Sequence, residues 1–174
     1  VVRTFTDRNP GSYYLYIADS GVLKKLSDIN ADIKAEQMSE MKSISFKSRD
    51  GLDINGYLTL PLNSKGKNLP IVVVPNNSPL TRNSWGYNAE VQFLANRGYG
   101  VLQIDYRGSS GYGKSFYAAG FKQWGVKIQD DIDDAVKSLI AKGIADPKRI
   151  AIYGSGLGGF IALNGAIRKP QLYK

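Results

Sequence analysis

The chain of 174 residues contains no cysteine and no histidine. The first absence excludes disulfides, thiolate nucleophiles and thiolate-bound metals. The second removes the side chain that most often serves as a general base near neutral pH and as a zinc ligand. A Ser-His-Asp triad cannot be assembled from this chain alone, and the composition implies no metal and no cofactor. Carboxylates are in the minority, 15 Asp and Glu against 23 Lys and Arg, for a net charge of +8. The cations are scattered, densest at Lys24-Lys25 and Lys65-Gly66-Lys67, and no basic helix interleaves them with stacking aromatics. A solvated basic surface is therefore expected, with no nucleic-acid and no membrane partner. The longest apolar runs, residues 69–74 and 149–153, are far too short to cross a bilayer. No basic-then-apolar leader opens the chain, so no secretory signal is read. Lack of cysteine leaves the compartment open, and without a leader the cytoplasm is the expectation.

What is present is enough to build a core. Hydrophobic residues make up 43% of the chain and charged residues 22%, the balance of a globular protein. Residues 1–41 read as a β-hairpin and a linker. Tyr13-Tyr14-Leu15-Tyr16-Ile17 is β-prone, Asp19-Ser20-Gly21 is a turn, and Val22-Leu23 resumes the strand. One hairpin is marginal alone and needs a neighbour. From Lys42 onward, alternation at 43–46 and 54–60 around Asp50-Gly51 predicts a second hairpin. Residues 69–74, rich in valine, fit a strand buried on both faces. A helix over 89–96, a strand over 99–106, a helix with Ile128, Ile132, Val136, Leu139 and Ile140 on one face, a strand over 149–153 and a helix from Leu157 follow in order. Ala145-Asp146-Pro147 is expected to close the third of these. The fold class is α/β: a mostly parallel sheet with helices on both faces, over residues 42–174. Asp130, Asp131, Asp133 and Asp134 are expected to form a solvated acidic face near a helix start. The glycine-rich segment 108–113 lacks the Lys-Ser/Thr ending of a phosphate-binding loop and is expected to be a structural turn.

The segment Gly154-Ser155-Gly156-Leu157-Gly158-Gly159 follows a strand and opens a helix. It matches G-x-G-x-x-G, the dinucleotide fingerprint. Several strands precede it, however, whereas the fingerprint belongs to the first strand of its sheet, and the acidic residue expected about 20 positions on has no place before Lys174. The other reading is a nucleophile elbow, G-x-S-x-G, with Gly154 and Gly158 at the two glycine positions. The nucleophile position is then 156, which holds glycine. Ser155 is one residue early, and Tyr153 and Leu157 stand where its own flanking glycines would be required.

Three longer blocks carry a resemblance to a known family. They are Trp85-Gly86-Tyr87-Asn88-Ala89-Glu90-Val91-Gln92-Phe93-Leu94-Ala95-Asn96-Arg97-Gly98-Tyr99, Asp105-Tyr106-Arg107-Gly108-Ser109-Ser110-Gly111-Tyr112-Gly113-Lys114, and Asp146-Pro147-Lys148-Arg149-Ile150-Ala151-Ile152-Tyr153-Gly154 with the elbow behind it. Residues 42–174 resemble the front half of the α/β-hydrolase domain of prolyl-oligopeptidase-family serine peptidases, in the acylaminoacyl-peptidase and dipeptidyl-peptidase-like branch, which implies a partial α/β-hydrolase sheet. The hairpin at 13–25 is similar to the last strands of the propeller that precedes that domain. The resemblance implies peptide hydrolysis by acyl transfer, with Ser, then acid, then His in chain order. The acid and His would lie beyond Lys174. It also implies an oxyanion hole formed by the N–H of Leu157 and one from Ser78 or Asn77, in the stretch Asn76-Asn77-Ser78-Pro79 where the family has His-Gly-Gly-Pro. With Gly156 at the nucleophile position and no His, no peptidase activity is expected; a peptide would be the substrate of any that remained. Non-catalytic binding or scaffolding on this fold is the alternative. An open sheet edge and an uncovered apolar face are expected, to be covered by a second copy or by the missing C-terminal half.

Overall fold

Tyr, Val and Ile in short alternating runs make the N-terminal strands. The structure, a computed structural model, describes residues 1–174. Strands β1 (Val2–Thr4), β2 (Ser12–Ile17) and β3 (Val22–Asp28) form a three-stranded antiparallel sheet. The expected hairpin is thus joined by a third strand, and its second arm runs on to Asp28. Ser12 Oγ donates to Asp28 Oδ1 at 2.6 Å and pins the open end. Tyr16, Val22, Leu23 and Leu26 remain exposed on this small sheet. The stretch from Ile29 to Glu40 carries only a single 3-10 turn, Ala35–Gln37. Gln92 secures it to the rest of the chain: its carboxamide donates to the carbonyls of Asp7 and Ser39 and accepts the Ser39 N–H.

The larger sheet is mixed. Strands β4 (Met41–Lys47), β5 (Asp53–Thr59), β6 (Leu69–Val73), β7 (Gly100–Asp105) and β8 (Ala145–Ile152) lie in the order β4-β5-β7-β6-β8. The pairs β4–β5 and β5–β7 are antiparallel, while β6–β7 and β6–β8 are parallel. Period-two alternation divides the side chains between the two faces. Ile54, Leu58, Ile71, Val73, Leu102 and Ile104 join the core beneath helices α3 (Lys127–Ala141) and α4 (Leu157–Arg168). Val72, Val101 and Gln103 point to the opposite face, which α1 (Ala89–Asn96) covers with Val91 and Ala95. Asn88 caps α1 by accepting the N–H groups of Glu90 and Val91. A short helix, α2 (Lys114–Ala118), follows the 108–113 turn, where Gly108, Gly111 and Gly113 all have positive φ.

Two expectations are corrected. Asp146 and Pro147 do not close a helix; they lie within β8. Its register against β6 shifts between Leu69 and Ile71, so residues 146–149 bulge outward. The aspartates of α3 are not a uniformly solvated face, because Asp131 and Asp133 are fully buried. Asp131 faces Arg107, itself only 3% exposed. The guanidinium donates to both Asp131 oxygens, at 2.8 and 2.7 Å, and the Arg107 N–H adds a third contact at 3.0 Å. Its other edge holds both oxygens of Asp50, at 2.8 and 2.9 Å. One arginine thus ties the β4–β5 turn, the exit of β7 and helix α3 together. Asp133 accepts the Tyr173 hydroxyl at 2.6 Å and anchors the segment after α4. Burial, and then the neighbouring Asp133, push the Tyr173 phenol well above its usual range.

Removing one partner of a buried ion pair leaves an uncompensated charge. Asp131→Ala should lower the unfolding free energy by roughly 3–5 kcal/mol in urea titrations. Lys47→Ala, which breaks the exposed pair with Asp53, should leave the midpoint unchanged. The Arg107 guanidinium holds the Asp50 carboxyl well below the usual carboxylate range. A lowered folded-state pKa contributes stability that is present above about pH 4 and is lost as acid titrates the folded carboxylate. Asp50→Asn should therefore flatten the acid limb of the stability–pH curve while changing its alkaline limb little.

Candidate functional site

The site is built where β8 turns into α4. Tyr153 N–H donates to the Val73 carbonyl at 2.9 Å, the last rung beside β6. The chain then reverses within a few residues, and only glycine fits. A Cβ on Gly154 would stand 2.6 Å from the Gly158 carbonyl carbon, and one on Gly158 would stand 2.9 Å from the Pro75 carbonyl oxygen. Helix and strand exits touch backbone to backbone. Gly156 is the apex, at φ 54° and ψ −125°, a conformation that L side chains rarely adopt.

The neighbouring wall is the loop after β6. The Leu157 N–H donates to the Asn77 carbonyl at 3.0 Å. That carbonyl oxygen also lies 2.5 Å from where a Cβ on Gly156 would be. The structure therefore brings Gly156, Leu157 and Asn77 together, and the Leu157 amide is taken by a protein carbonyl. Ser78 is held one residue further on, where its own carbonyl accepts the Thr81 hydroxyl at 3.0 Å. Asn76 Nδ2 reaches the Thr81 carbonyl at 3.3 Å, and Leu80 completes the loop at φ 66°. Ser155 is exposed beside the apex.

A polar network behind the loop carries no sequence signal. Asp105, at the end of β7 and fully buried, accepts the Asn83 N–H at 2.7 Å, Asn83 Nδ2 at 2.8 Å and the Tyr112 hydroxyl at 2.6 Å. Burial, and then Asp105, raise the Tyr112 phenol well above its usual range. Gln103 Nε2 donates to Asn83 Oδ1 at 3.2 Å. Two cavities adjoin this network. One of about 210 Å³ runs beside the elbow and is lined by Asn76, Asn77, Glu90, Tyr153 and Ser155 among others. The neighbouring Glu90 carboxylate raises the Tyr153 phenol above its usual range. The other, of about 510 Å³, lies toward the N-terminal sheet and is lined by Arg3, Phe5, Arg82, Trp85 and Tyr87 among others. No group of three or more Asp or Glu side chains is placed to hold a metal ion. No helix is long and apolar enough to cross a membrane.

The strand, the glycine turn and the helix all lie within a stretch that matches a known family. The model of the prolyl oligopeptidase family fits residues 85–174. The chain belongs to the prolyl oligopeptidase family. Dipeptidyl aminopeptidase BIII of Pseudoxanthomonas mexicana is 34% identical over 171 residues, 94% of this chain and 25% of that protein. The acylamino-acid-releasing enzyme of Sus scrofa is 29% identical over 124 residues, 71% of this chain and 17% of that protein. Among solved structures, a Mycobacterium tuberculosis puromycin-hydrolyzing peptidase superposes with a TM-score of 0.85 at 28% identity, covering 99% of this chain and 27% of that one. The Pyrococcus horikoshii acylaminoacyl peptidase gives 0.81 at 27% identity, covering 99% and 28%. The chain thus spans about a quarter of the length of the first of these curated relatives and of both solved structures.

Any side chain at the elbow apex meets both a positive φ and the Asn77 carbonyl. Gly156→Ala should destabilise the fold by about 1–3 kcal/mol, read as a lower thermal midpoint. Ser155→Ala, at the exposed neighbour, should leave it unchanged.

Proposed function

We propose that this chain is the front part of a prolyl-oligopeptidase-type hydrolase domain whose elbow is kept and whose nucleophile is gone, so that the chain itself cleaves no peptide bond. Gly156 carries the reading. The family's attacking hydroxyl, carried over by the spacing of Gly154 and Gly158, falls on a residue that has no side chain. Losing a triad nucleophile costs on the order of a millionfold in rate and leaves only about a thousandfold from the oxyanion hole and binding. Two further features point the same way. The chain has no histidine to act as base, and the Leu157 amide, a candidate oxyanion donor, is taken by the Asn77 carbonyl. The same contact weighs against dinucleotide binding, since a pyrophosphate at this helix start would need that amide free.

The reading includes a partner. Strand β8 is paired on one side only, with β6. On α4, Phe160, Leu163 and Ile167 are 46%, 70% and 79% exposed. An unpaired edge beside an apolar helix face invites covering. The relatives are several times longer than this chain, which favours further elements of such a domain, on the same or another polypeptide, as the cover. A second copy is the other candidate.

A fluorophosphonate probe should fail to label the chain, and a chromogenic peptide ester should not turn over above the buffer rate. Gly156→Ser alone should remain inactive, because no base is supplied. Labelling of the unmodified chain, or ester turnover by it, would sink the proposal. Sedimentation of the isolated chain should show self-association that Leu163→Glu with Ile167→Glu reduces; a well-behaved monomer would remove the case for a covered face.

A further inference from the structure

Arg49, Arg107, Arg149 and Arg168 each meet a carboxylate, at 3.0, 2.7, 2.7 and 3.1 Å respectively. Arg3 and Arg82 meet none, and both stand on the wall of the cavity of about 510 Å³. No carboxylate lines that wall. Asp7 and Asp105, on adjoining segments, are buried and committed elsewhere. Asp7 accepts the Met41 N–H at 2.8 Å, and Asp105 accepts from Asn83 and Tyr112. The two guanidiniums are placed by neutral groups instead. Arg3 Nη2 donates to the Pro10 carbonyl at 3.2 Å, and its guanidinium carbon lies 5.7 Å from the centre of the Phe5 ring. The guanidinium carbon of Arg82 lies 5.9 Å from the centre of the Tyr112 ring. A guanidinium offers five donors in a planar fork, so most of these N–H groups remain open to a ligand.

The rest of the wall is aromatic. Phe5, Trp85 and Tyr87 line it, with Phe5 52% and Trp85 45% exposed. Both rings are held in place. Trp85 Nε1 donates to the Met41 carbonyl at 3.2 Å. Phe5 rests against the backbone of Gly86, where an added Cβ would stand 3.2 Å from the ring. Beneath them the Asn83 carboxamide is fixed between Asp105 and Gln103. The cavity therefore offers two unpaired cations beside two anchored, half-exposed rings.

We propose that this cavity binds a small aromatic carboxylate, with its carboxylate between Arg3 and Arg82 and its ring against Phe5 and Trp85. Arginine's fork matches a carboxylate with two parallel hydrogen bonds. A concave wall bearing one sign of charge concentrates the opposite ion. Rings stacked on rings add affinity beyond the area they bury. The volume falls within the range of small-molecule sites, roughly 300–1,000 Å³. Neither Gly156 nor Leu157 lines the cavity, so the site is independent of what the elbow carries.

Titration calorimetry of the whole chain with phenylacetate tests it. Saturable binding is expected with a dissociation constant of about 1 mM. Phenylacetamide, which lacks the charge, and acetate, which lacks the ring, should each bind at least about tenfold more weakly. The chain has two tryptophans, so Trp124→Phe leaves Trp85 as the single reporter, and its fluorescence should follow the same isotherm. Arg82→Gln should weaken phenylacetate by about tenfold. Arg3→Gln should do the same, and because both positions are exposed, either variant serves if the other fails to fold. No saturable heat up to about 10 mM phenylacetate would overturn the proposal. So would equal binding of phenylacetamide or acetate, Trp85 fluorescence that does not change with binding, or unchanged affinity in a folded Arg82→Gln or Arg3→Gln variant.

Discussion

The constraint on which the site depends is steric. At the end of β8 three stretches of backbone pass so close that no side chain fits between them. Gly154 meets Gly158, and Gly158 meets the Pro75 carbonyl. This contact lets α4 start directly above the exit of β6, and it fixes residue 156 as the apex. A residue at the apex projects clear of the sheet, which is why a hydrolase puts its nucleophile there. The packing glycines at 154 and 158 hold the turn itself, while the apex residue decides how closely the loop after β6 can approach.

Charge organises the rest of the domain in a way its net value conceals. The surface is basic, but the interior is tied by carboxylates. Arg107 spans Asp50 and Asp131, and Arg49 does the same outside with Asp134 and Asp130. Burial pushes the Asp134 carboxyl up, and hydrogen bonds from the Arg49 side chain and backbone more than reverse it. Each network joins the β4–β5 turn to α3, which are distant in sequence. The parallel core and the antiparallel hairpin are therefore joined by geometry-specific ion pairs as well as by apolar packing, and removing one partner of the buried pair leaves the other charge uncompensated.

How much of this the sequence shows depends on the range of the interaction. The two hairpins, the valine-rich strand β6 and the amphipathic α3 rest on local periodicity, and each is present. The turn at the elbow is legible because its glycines sit at fixed offsets. Pro147 misleads, because a bulge lets β8 absorb it where a regular strand would not. Asp131 could have been placed by its position alone: it lies three residues after Ile128 and one before Ile132, inside the apolar stripe. What periodicity cannot supply is its partner, Arg107, which comes from another element. The same holds for Asn83, Gln103 and Asp105, which meet only once the loop before α1 folds over β7. Of the candidate oxyanion groups, the sequence offers the donors at 77, 78 and 157, but nothing in it reveals that the Asn77 carbonyl would turn toward the Leu157 amide.

The Asn77 carbonyl links the glycine apex to the loop after β6. A Cβ at position 156 and the oxygen of Asn77 claim the same space, 2.5 Å apart. Glycine at the apex is what lets the loop sit against α4 and engage the Leu157 N–H. A serine at 156 and this loop conformation exclude each other, so a chain with the hydroxyl would have to hold the loop elsewhere and leave the amide free for a substrate oxygen. The absent side chain and the occupied amide are therefore one structural fact, not two. On the proposed reading, the residue that offers no attacking group is also the one that admits the carbonyl onto the Leu157 amide.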